Sequence, residues 1–217
     1  MARKHSLKKL LRDNGLSLVL VALFLAFWTG QAITGFQDHY HEEQSHGRPT
    51  VAVGAYLLSG HFWEATFENW ESEFLQMAAY VLLTVCLYQR GSAESRDPDE
   101  MGRVPPAGTN AGASKSWRKW IYEHSLSLAL GSLFLLSWCG HALAGWKHYN
   151  GEQSEHGGHL LTFAQYLGAA RFWFESFQNW QSEFLAVATI VILSIWLREK
   201  DSPESKKLSS TNQETGK

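Results

Sequence analysis

Two stretches of this 217-residue chain, Gly15–Gly35 and Ser125–Trp146, contain no Asp, Glu, Lys or Arg. A helix rising about 1.5 Å per residue needs roughly 20 apolar residues to cross the hydrocarbon core of a bilayer, and both stretches reach that length. Soluble surface helices interleave charges over such a distance. Phe74–Tyr88 and Phe184–Leu197 are shorter uncharged runs. Each reaches spanning length only if it extends back through the aromatic, acidic stretch before it. The predicted spans are therefore about 15–35, 66–88, 125–145 and 176–197. The first is too long for a cleaved leader and lacks a small-residue cleavage site, so it is expected to remain as an anchor.

The order of these runs is a repeat. Leu16, Ser17, Leu18, Trp28, Gly30, Ala32 and Gly35 return 110 positions later as Leu126, Ser127, Leu128, Trp138, Gly140, Ala142 and Gly145. Glu42, His46, Gly47 and Tyr56 return as Glu152, His156, Gly157 and Tyr166 at the same offset. The pattern F-W-x-x-x-F-x-N-W-x-S-E-F-L fills Phe62–Leu75 and again Phe172–Leu185. Each unit holds two spans, so the second copy enters the membrane in the same sense as the first. The expected fold is an all-α membrane protein: four transmembrane helices in two parallel helix-hairpin repeats, residues 1–90 and 115–200. A flexible linker over 91–114 and a disordered tail over 201–217 are expected from their Pro, Gly, Ser and charge content. Val51–Trp63 and Leu160–Phe174 are too short to span and read as interfacial or re-entrant helices of the outer loops.

Charge sets the orientation. Residues 1–14, 89–124 and 198–217 carry 16 Lys and Arg against 10 Asp and Glu, whereas 36–73 and 146–183 carry 3 against 11. Basic segments stay in the cytoplasm, which places both termini and the linker inside. The net charge of −2 leaves no basic face for nucleic acid. Cys86 and Cys139 fall at opposite ends of their spans, too far apart for a disulfide. No Ser-His-Asp order, phosphate loop or dinucleotide fingerprint suggests an enzyme.

The repeated polar residues are the candidate sites. Asn69 with Glu73, and Asn179 with Glu183, stand four apart near the start of a span, where a carboxylate must face protein, water or a polar partner. They form a candidate proton or cation site, or a headgroup-level capping network. Eight histidines, His39, His41, His46, His61, His141, His148, His156 and His159, fall on the outer side. Glu42 with His46 and Glu152 with His156 are the pairs present in both copies, one turn apart. They are candidate ligands for zinc or another divalent cation, or helix caps; no other cofactor is expected. Trp28, Gly30 and Gly35, with Trp138, Gly140 and Gly145, are the helix-packing positions. Trp63, Phe67 and Trp70, with Trp173, Phe177 and Trp180, form one stripe per copy and read as an interfacial aromatic belt.

The segment Gly60–Leu75, preceded by Trp28–Gly35, resembles a family of small bacterial four-span inner-membrane proteins known only as a domain of unknown function. The resemblance covers residues 7–200 and implies a bacterial inner-membrane location without a substrate or catalytic residues. The expected role is structural, interaction or stress-related, with lipid and either a second copy or another membrane protein as partners. The alternative is a small transporter or channel for protons or divalent cations.

Overall fold

The computed structural model describes residues 2–47, 49–100 and 117–216. Most of the predicted linker, 101–114, lies outside them. The described residues are helical apart from turns and irregular segments. Among them, seven α-helices occur in order: α1 (Ala2–Ser45), α2 (Val53–Tyr56), α3 (Gly60–Cys86), α4 (Trp117–Glu123), α5 (Ser125–Glu155), α6 (Phe163–Leu167) and α7 (Ala170–Leu193). Two helices are long and apolar enough to cross a membrane, α1 from Leu11 to Ser45 and α5. Helices α3 and α7 are 27 and 24 residues long, but they become free of charged residues only from Phe74 and Phe184.

Local chemistry sets the helix ends. Asn14 leaves helical geometry inside α1, with φ −128° and ψ 18°, and so separates the basic leader from the apolar run. Both long helices stop at a His-Gly pair. The amides of His46 and His156 donate to the carbonyls of Glu42 and Glu152 at 3.1 and 3.2 Å. Gly47 and Gly157 then take φ of +67° and +65°, a left-handed geometry that glycine adopts without strain. Helix α6 starts with a capping box. Thr162 Oγ1 accepts from the Gln165 amide, and Gln165 Oε1 accepts from the Thr162 amide at 2.8 Å.

The chain divides into two compact units, Met1–Trp63 and Glu64–Lys217. In the first, Tyr56 and Phe62 are the buried rings, packed at 5.8 Å, and Phe62 meets Trp28 at 6.3 Å. The Tyr56 hydroxyl occupies the space a Cβ on Gly35 would need. In the second, Ala142, Tyr166 and Phe172 form the core with Trp138, Trp146 and Leu161 around them. Tyr166 meets Phe172 at 5.6 Å, Phe172 meets Trp138 at 5.6 Å, and the Tyr166 hydroxyl covers Gly145. The Tyr56, Phe62, Trp28 and Gly35 contacts thus have their counterparts at Tyr166, Phe172, Trp138 and Gly145, the positions that correspond in the sequence repeat. The loop before α6 is tied down from α5: Trp146 Nε1 and Asn150 Nδ2 donate to the Leu161 carbonyl at 2.7 and 2.9 Å.

Within the second unit, residues 200–216 form turns against 91–95, a packing that composition alone does not suggest. Lys206, 2% exposed, donates to the carbonyls of Gly91, Thr211 and Glu214. Ser92 Oγ lies 3.0 Å from Ser194 Oγ, and the Gly216 amide reaches the Ser92 carbonyl at 2.9 Å. The ammonium group satisfies carbonyls that this irregular backbone would otherwise leave unpaired.

Candidate cation site

Three polar stripes in the second unit share helical spacing. Glu64, Glu68 and Glu71 follow one face of α3. His141, Gly145, His148 and Glu152 follow one face of α5. Arg171, Glu175 and Asn179 follow one face of α7. Side-chain contacts bring the three faces together, and Gly145 leaves room for Tyr166 and Glu64: a Cβ there would lie 2.7 Å from Glu64 Oε1.

His141 and Glu71 are at the centre, both with fully buried side chains. His141 Nδ1 lies 3.0 Å from Glu71 Oε2. A carboxylate only accepts, so Nδ1 carries the hydrogen in this pair. Glu71 Oε1 accepts from Ser176 Oγ at 2.9 Å and from Trp180 Nε1 at 3.1 Å. Glu68 Oε1 accepts from Asn179 Nδ2, and Glu64 Oε2 pairs with His148 Nδ1. Arg171 bridges the outer edge, donating through Nε to Glu175 Oε1 at 2.9 Å and through its terminal nitrogen to Glu152 Oε2. Burial works against the Arg171 charge, but the hydrogen bonds to Glu152 and Glu175 outweigh it and raise its pKa above the ordinary value. Burial, reinforced by the charge of Glu64, raises the pKa of the Tyr166 phenol.

By formal charge the cluster has an excess of carboxylates. Five carboxylates, Glu64, Glu68, Glu71, Glu152 and Glu175, face one guanidinium and two imidazoles. Protonating both imidazoles still leaves it two charges negative. Four of its buried atoms have no hydrogen bond among the described residues: Glu64 Oε1, His141 Nε2, Glu175 Oε2 and the Tyr166 hydroxyl. Orphaned polar atoms at such depth are costly, and here they collect around one space.

Residues 7–217 match the family model described as Domain of unknown function (DUF6766). The chain belongs to this family. No curated protein and no solved structure matches it. The family description assigns no activity, so the chemistry of this DUF6766 chain has to be read from its own side chains.

Asn179 joins the buried cluster through Glu68, whereas Asn69 Nδ2 turns back to the Ala65 carbonyl of its own helix at 2.7 Å. Glu73 is exposed and Glu183 half-buried; the Glu183 carbonyl accepts from Gln76 at 3.3 Å. His46 and His156 are exposed, and each Nδ1 lies 2.8 Å from the carbonyl of Glu42 or Glu152 one turn back. The Glu152 carboxylate serves Arg171 and His148 instead. Gly140 lies under the Phe67 ring, at 2.7 Å from a Cβ placed there, while Gly30 has open space. Trp63 packs on Trp28, Phe67 on Trp70, and Trp173 on Phe177. Trp180 turns its nitrogen to Glu71. Sequence reasoning did not single out Glu64, Glu68, Glu71, Arg171 or Glu175. The available signal was their spacing: three carboxylates on one face of a helix, opposite a histidine inside an uncharged run.

Proposed function

We propose that the protein is a four-span integral membrane protein of the bacterial inner membrane, built from two parallel helix-hairpin repeats with both termini in the cytoplasm. Its α3–α5–α7 cluster takes up a small inorganic cation for passage across that membrane. The observation that carries this reading is a cluster in which five carboxylates, the buried Glu64 and Glu71 and the half-buried Glu68, Glu152 and Glu175, face one guanidinium and two imidazoles. Ionisable residues near the ends of apolar helices are expensive to keep, face away from lipid and mark ion pathways. The equivalent ring contacts, Tyr56 with Phe62 and Tyr166 with Phe172, support two like-built repeats. The exposed Leu20, Phe27, Leu126 and Leu136 on the two longest apolar helices are the surfaces lipid would cover. A purely structural or interaction role accounts for those surfaces too, but leaves the excess of carboxylates without a purpose.

The test is reconstitution of the purified protein into sealed vesicles containing pH- and metal-sensitive dyes, with gradients of protons, sodium, magnesium and zinc imposed in turn. At least one cation should enter well above the rate of protein-free vesicles, and Glu71→Gln should abolish that increment. Equal permeability to all four cations, with and without protein, rejects the reading.

A further inference from the structure

We propose that Glu64, His141 and Glu175 form a binding site for a divalent first-row transition metal. Its biological purpose rests on the cation-handling reading, but the site stands on its own geometry. One ligating atom from each of these residues lies within 4.8 Å of those of the other two. Each residue also has a buried atom without a hydrogen bond: Glu64 Oε1, His141 Nε2 and Glu175 Oε2. His141 has no exposed side-chain surface, and its Nε2 stands 3.5 Å from Glu175 Oε2, within ion-pair range but without hydrogen-bond geometry.

The other atom of every ligand is already held. His148 holds Glu64 Oε2, Glu71 holds His141 Nδ1 at 3.0 Å, and Arg171 holds Glu175 Oε1 at 2.9 Å. That is how outer partners orient metal ligands: a histidine gives one ring N–H to a carboxylate and presents the lone pair of the other nitrogen. With Nδ1 directed to Glu71, a metal would take the place of the proton on Nε2 and bridge that nitrogen to Glu175 Oε2. One imidazole and two carboxylates suit zinc or manganese and leave a position for water or cargo. Ligands about 2.0–2.2 Å from zinc stand roughly 3.4 Å apart in a tetrahedron; His141 Nε2 and Glu175 Oε2 are already 3.5 Å apart, so the closing-in on binding falls mainly on Glu64. Gly145 leaves the space in which Glu64 makes that shift.

The full chain, purified in detergent and stripped of metal, is titrated with zinc, with magnesium and sodium as competitors. One zinc per chain is expected, undisturbed by excess magnesium. His141→Gln and Glu175→Gln should each weaken it at least about a hundredfold, and Glu71→Gln by about 10- to 100-fold through loss of orientation. The exposed pair variant His46→Gln with His156→Gln should leave the affinity unchanged. X-ray absorption of zinc-loaded wild-type protein needs no variant to fold: it should report one imidazole, with oxygens for the remaining ligands. Absence of stoichiometric zinc, a zinc shell with no imidazole or more than one, or loss of binding in the His46/His156 variant overturns the site. Bound zinc without flux in vesicles upholds the site and rejects the transport reading. Flux of another cation with no bound zinc rejects the site alone.

Discussion

Replacing Glu71 by alanine should be the most damaging single change in the buried cluster. It strands three donors at once: the buried His141 Nδ1 and Ser176 Oγ and the half-buried Trp180 Nε1. Three hydrogen bonds at the average found inside membranes, about 0.6 kcal/mol each, would sum to roughly 2 kcal/mol. Removing one member of a buried ion pair typically costs about 3–5 kcal/mol, because the other charge is left unpaired. We expect about 4 kcal/mol for Glu71→Ala on that basis. Glu71→Gln keeps an acceptor for Ser176 and Trp180, and should cost about half as much. The control is the equivalent position in the second repeat, the exposed Gln181, where alanine should fall within about 0.5 kcal/mol of wild type. Unfolding in mixed micelles followed by far-ultraviolet circular dichroism measures all three variants. A loss of only about 2 kcal/mol for Glu71→Ala would assign the effect to hydrogen bonds without charge. A Glu71→Ala variant as stable as Gln181→Ala would refute the reasoning.

Gly145→Ala should destabilise by about 1–3 kcal/mol, since its Cβ would collide with Tyr166 and Glu64. Gly131→Ala, with nothing within 4 Å, should instead be neutral or stabilise by up to about 1 kcal/mol in the same unfolding assay. Lys206→Met removes the ammonium from three carbonyls. Chymotryptic cleavage after the exposed Leu208 should then accelerate, and an unchanged rate would show that the tail is held by other means. The Tyr166 pKa is raised above 10.0 by burial and then by Glu64, so the folded state keeps a proton that the unfolded chain releases. That contribution is whole below the unfolded value and is lost as pH rises through the folded one. Tyr166→Phe should therefore change the alkaline limb of the stability profile, and an identical pH profile would contradict the assignment.

The helices were legible in the sequence because their signals are local. The long uncharged runs lie inside α1 and α5, but both helices run on past the expected span ends at 35 and 145 to Ser45 and Glu155, before the left-handed Gly47 and Gly157. The packing of Tyr56 on Gly35 and Tyr166 on Gly145 follows residues present in both copies. Most of the cluster was hidden for the opposite reason: apart from Glu152, Tyr166, Asn179 and Trp180, it is built where the copies differ. Glu71 stands opposite Gln181 in the repeat, His141 opposite Gln31, Glu175 opposite Ala65 and Glu64 opposite Phe174. Attention to shared residues leads to Glu73, Glu183, His46 and His156, three of which are exposed and one half-buried. The packing of 200–216 on 91–95 depends on Lys206 reaching carbonyls far along the chain, and composition does not encode that pairing.

A cation path through the cluster requires that the chain cross the membrane four times, with the ends of α1 and α5 outside and the tail inside. Single cysteines at the exposed Ser45, Ser154 and Ser209, in a chain with Cys86 and Cys139 replaced by alanine, report this directly. An impermeant thiol reagent applied to spheroplasts should label positions 45 and 154 without lysis and position 209 only after it. Labelling of all three from one side would contradict the four-span arrangement and leave the buried cluster outside any membrane path.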